Sequence, residues 1–140
     1  MANPQQQVAR AVADRGYRDG WTAEQYAVRQ MLKLGEELGE LVDCIRILRS
    51  PGWAYKEHFI AEIKRIGEMC RDLFDDIDRE TAFTIDTAQA RKEAPDVQVP
   101  LFTLAEALAE LDGEPFAVVD AAVKKATADV ARGKRKEGPA

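Results

Sequence analysis

Three glutamates, Glu36, Glu37 and Glu40, fall within five positions of one another in KLGEELGELVDC, Lys33 to Cys44, a stretch that is otherwise strongly apolar. On a helix, carboxylates three residues apart project from adjacent turns and can converge on one point. Held together they repel by roughly a few tenths of a kcal/mol when exposed, and by several kcal/mol near a core. A divalent cation is the simplest compensation, and hard carboxylate oxygens suit Mg²⁺ or Mn²⁺. A second pair at the same spacing, Glu93 and Asp96, occurs in KEAPDVQV, Lys92 to Val99. Two helices that each offer such a pair can surround a metal inside a bundle. The same residues also fit a solvated acidic face, since EExxE is a common helical string.

Lys125, Asp129 and Arg132 lie at i, i+4 and i+7, on one face of the last helix. A salt-bridged surface helix carries the same pattern. The single histidine, His58, cannot make a histidine metal site, and the absence of a Glu-x-x-His pair argues against a di-iron carboxylate bundle.

Those residues need helices to position them. Gly16 and Gly20 set off a short N-terminal segment. TAEQ at Thr22 then offers a hydroxyl cap with a glutamine three residues on, which starts the first strong helix. Its apolar seam is Ala27, Met31, Leu34, Leu38, Leu41, Ile45 and Leu48, with Lys33, Glu37, Glu40 and Cys44 in a strip beside it. SPGW, Ser50 to Trp53, ends it. A second helix spans about Tyr55 to Ile77, with Phe59, Ile63, Ile66, Cys70, Leu73 and Ile77 in line. The stretch from Asp78 to Glu93 reads as loop or weak helix. A third helix covers about Lys92 to Leu111, and Pro95 requires that it begin just upstream, with Pro100 imposing a kink or a rearranged turn. Pro115 suits the first turn of a final helix that reaches about Arg132. Seams of this kind specify an all-α bundle of four to five helices, a single domain over residues 1–132 followed by a disordered basic tail, 133–140. Apolar flanks such as Phe102 and Val119 exceed what one small chain covers, so a homo-oligomer is expected.

Composition fits a soluble domain, with 46% hydrophobic and 32% charged residues. A net charge of -5 disfavours a nucleic-acid polymer as partner. The N-terminal residues show no long apolar run, so neither a signal peptide nor a membrane span is expected, and a cytoplasmic location is the default. Cys44 and Cys70, each inside a helical pattern, read as buried small residues without a disulfide.

EELGE at Glu36 to Glu40 followed by EAPD at Glu93 to Asp96 resembles the EExxE…ExxD signature of the MazG-like all-α nucleotide pyrophosphohydrolases. The likeness takes in the approach WTAEQYAVRQMLKLGEELGEL and the last helix, KKATADVARGK, and covers roughly half the chain. It implies hydrolysis of a nucleoside triphosphate to the monophosphate and pyrophosphate, with Mg²⁺, in a dimer or tetramer whose helices complete the bundle. Carried over, Glu37, Glu40, Glu93 and Asp96 would be metal ligands. Glu36 would be a further ligand or would position the attacking water. Lys125 and Arg132 would approach the phosphates, with Lys33 assisting. Asp129 stands where the family has asparagine. The interval from Glu40 to Glu93 exceeds the family's usual one, and the second helix fills it. Among Trp21, Tyr26, Trp53 and Phe102, Trp21 is the first candidate to stack on a base.

Overall fold

The computed structural model describes residues 2–47 and 51–133, so Leu48, Ser50 and the tail from residue 134 onward lie outside the described residues. Five helices follow one another: α1 (Pro4–Asp14), α2 (Ala23–Val42), α3 (Trp53–Asp76), α4 (Thr87–Asp112) and α5 (Val118–Ala131). The described residues contain no strand, so the chain is all-α. It divides into two compact units, one of residues 1–20 with 84–140 and one of Trp21–Phe83.

The second unit is an antiparallel hairpin of α2 and α3. Thr22 caps α2 as its sequence predicts, its hydroxyl accepting from the Gln25 backbone N–H while the Gln25 side chain accepts from the Thr22 N–H. The helices meet through glycine. A Cβ placed on Gly39 would stand 2.9 Å from the Gly67 Cα and 3.4 Å from the Lys64 carbonyl oxygen, and one on Gly35 would stand 2.7 Å from the Cys70 Sγ. The seam expected to face the core therefore does not form this contact. At about 100° per residue, Met31, Leu34, Leu38 and Leu41 on α2 stand about a quarter-turn from the glycine line. They are 39–49% exposed. On α3, Phe59, Ile63, Ile66 and Leu73 are shifted likewise and are 47–53% exposed. Because the helices run antiparallel, both strips turn to the same side of the hairpin. The Asp43 carboxylate reaches Lys64 at 3.1 Å on the other side.

α2 stops at Val42, short of SPGW. The next N–H groups bond three residues back, Cys44 to Leu41 and Ile45 to Val42, which tightens the chain into turns. Both cysteines are free. Cys70 is half-buried beside Gly35, whereas Cys44, expected inside, is exposed because it lies beyond the helix end.

The open end of the hairpin is closed by Gln25, which is 4% exposed and donates to the carbonyls of Arg79 (3.0 Å) and Thr81 (2.7 Å). Asp78 shapes that turn by accepting from the Thr81 hydroxyl at 2.8 Å and from the N–H groups of Thr81 and Glu80 at 2.9 and 3.0 Å. The Thr81 hydroxyl and then the two N–H groups hold the Asp78 carboxyl below its ordinary pKa.

In the first unit α1 packs on α5. By its glycines alone this stretch is only a short N-terminal segment; the structure makes it helix α1. Its signal is NPQQ, in which Asn3 and Gln6 form a reciprocal cap and Pro4 opens the first turn. α4 begins at Thr87, about five residues before its expected start, because the Asp86 carboxylate accepts from the Gln89 N–H at 3.0 Å. Pro95 and Pro100 consequently both lie inside the helix, each removing one backbone donor at a cost of ~3 kcal/mol in an ordinary helix. Gly113, at φ 74°, ends it. α5 begins at Val118, so Pro115 lies in the preceding loop and not in its first turn.

Gly39→Ala sets a gain in helix propensity of about 1 kcal/mol against overpacking of about 1–3 kcal/mol. The atoms it would meet are backbone and cannot move aside alone, so a lowered thermal midpoint is expected; a raised one would contradict the contact. Asp78→Asn lowers stability at neutral pH. Since the folded-state pKa of Asp78 is depressed, its contribution is present above the unfolded value and disappears as pH falls through the folded value. Denaturant titrations of both forms should converge in strong acid.

Candidate functional site

The three glutamates of the first motif lie on α2, and the geometry of the glycine contact decides where they point. Gly35 and Gly39 face α3, so Lys33, Glu36 and Glu40 project on the side of the hairpin away from the apolar strips, and Glu37 projects away from α3. The strip of Lys33, Glu37 and Glu40 expected beside the leucine seam is divided by the hairpin: Lys33 and Glu40 lie on the side away from the apolar strips, and Glu37 points away from α3. The GxxxG spacing inside the motif, LGEELGEL, is the signal that would have found this contact.

Two of the glutamates converge on one cation. Lys33 Nζ donates to Glu36 Oε2 at 3.1 Å and stands 3.3 Å from Glu37 Oε1. The Glu36 side chain is 13% exposed, against 37% for Lys33 and 54% for Glu37, so Glu36 is the partner least screened by water. Partial burial pulls the Lys33 ammonium down, but the hydrogen bond and charge of Glu36, then those of Glu37, outweigh it and hold the ammonium above its ordinary pKa. Glu40 is exposed one turn further along.

The second motif lies on α4 in the other unit. Glu93 and Asp96 are exposed, and Glu93 Oε1 accepts from Gln89 Nε2 at 2.8 Å. Among the described residues, no three His, Cys, Asp or Glu side chains converge to hold a metal ion. Carboxylate oxygens are the right donors for Mg²⁺, but on α2 their cationic centre is already an ammonium, and the residues in this arrangement do not fit the ion.

The triplet on α5 separates in its surroundings. Asp129 is 4% exposed and is held between two arginines: Arg15, from the end of α1, at 3.4 Å, and Arg132, at the C-cap of α5, in direct contact. Arg15 also donates to the Tyr17 hydroxyl at 3.3 Å and lies over its ring at 4.9 Å. Arg15 was not singled out by sequence, because no local spacing ties it to a residue 114 positions away on α5. Lys125 is exposed one turn before Asp129. Asp129 thus bridges α1 and α5, and the Arg132 side chain, 67% exposed, has its charge against it.

Trp21 is 8% exposed in the small core of the hairpin unit, with the Arg29 guanidinium 4.0 Å and the Arg79 guanidinium 4.6 Å from its ring centre. Arg29, itself 4% exposed, lies equally close to Phe74, at 3.9 Å. The indole is therefore stacked on cations of its own chain. Trp53 and Phe102 are 42% and 46% exposed, and Tyr26 is half-buried.

Comparison with protein-family models, with curated proteins and with solved structures gives no match. No helix among the described residues is long and apolar enough to cross a membrane.

Removing the Asp129 carboxylate leaves the mostly buried Arg15 without its α5 counter-charge. Asp129→Ala should cost about 2–4 kcal/mol of stability, measured by chemical denaturation. Arg132→Gln, on the exposed side of the pair, should cost no more than about 1 kcal/mol. Equal effects of the two changes would contradict the bridge.

Proposed function

We propose that this chain is a Mg²⁺-dependent nucleoside triphosphate pyrophosphohydrolase, with Mn²⁺ as a substitute ion, which converts (d)NTP to (d)NMP and pyrophosphate in nucleotide-pool housekeeping. One contact carries the reading: the carboxylates of Glu36 and Glu37 meet on a single cationic centre, 3.1 and 3.3 Å from each. The i, i+3 spacing pairs Glu37 with Glu40, whereas the two carboxylates that meet are Glu36 and Glu37, on Lys33.

The chemistry proposed for the chain's own residues follows from their types. Glu36, the most sheltered carboxylate of the motif, would orient the attacking water by accepting its hydrogen bond. Lys33, Lys125 and Arg132 supply the cations that a tetra-anionic triphosphate and a departing pyrophosphate need. Glu37, Glu40, Glu93 and Asp96 are the carboxylates that the family resemblance gives to the metal; since the present arrangement does not fit the ion, no step is assigned to it. Asp129, from that resemblance, and Trp21, as the candidate base-stacking aromatic, are retained as nucleotide contacts, although each is engaged within its own unit. A homo-oligomer, dimer or tetramer, and a cytoplasmic location belong to the same proposal.

The exposed strips of α2 and α3 favour a second reading, a noncatalytic helical interaction module. Incubation with mixed nucleoside triphosphates and Mg²⁺ separates the two. The pyrophosphohydrolase releases pyrophosphate and monophosphate, loses the activity on chelation, and loses roughly a hundredfold or more in Glu40→Ala with helical content unchanged. No release of pyrophosphate, or release of orthophosphate with the diphosphate, overturns the proposal.

A further inference from the structure

We draw no further inference here: the strongest candidate, the exposed apolar face that Leu34, Leu38, Phe59 and Ile63 form on one side of the α2–α3 hairpin, carries none, because nothing in the structure shows what covers it.

Discussion

The close approach of α2 and α3 through Gly39 and Gly67 is the constraint on which the hairpin unit depends. No side chain larger than hydrogen fits at Gly39 without displacing backbone, because a Cβ there would meet the Gly67 Cα at 2.9 Å. Once the helices are locked along this line, their other faces are fixed by helical geometry. The leucine and isoleucine strips turn to one side, while Lys33, Glu36 and Glu40 turn to the other. One contact therefore separates an apolar face from a charged one.

Each face then has its own physical requirement. On the charged side, two carboxylates share one ammonium, which offsets their mutual repulsion. On the apolar side, Leu34, Leu38 and Leu41 on α2 and Phe59, Ile63 and Ile66 on α3 all remain between 39% and 53% exposed. Contiguous apolar surface of this kind is uncommon on monomeric proteins. In the other unit the stabilising elements are different in kind: a buried aspartate between two arginines, and a pair of small buried residues, Ala11 and Ala105.

Much of the helical architecture was legible in the sequence because it rests on local chemistry. TAEQ caps α2 as read, and the apolar spacing locates α3 to within two residues at its start. Local chemistry overlooked also explains the misses. Asn3 with Gln6 starts α1, and Asp86 starts α4 far enough upstream to place two prolines inside it. What the periodicity could not give was the direction of packing. A leucine seam at i, i+3, i+4 says which residues share a face, and the usual inference is that this face meets the neighbouring helix. Here glycines at Gly35 and Gly39 allow a closer contact than leucines would, and the neighbour takes that face instead. The candidate site was legible in part for the same reason. The i, i+3 spacing pairs Glu37 with Glu40, but the pair that meets is Glu36 with Glu37, and Lys33, expected to assist at the phosphates, is their immediate partner. The surroundings of Asp129 depend on Arg15, a contact distant in sequence that no spacing rule encodes.

In the proposed homo-oligomer, a second copy of the chain would cover the apolar strips of α2 and α3 that the glycine contact leaves exposed. The mass of the purified protein in solution tests it most directly, by light scattering at micromolar concentration. A protomer of 15.6 kDa should give a particle of about twice or four times that mass. A mass of 15.6 kDa, held as the concentration rises, would contradict the account.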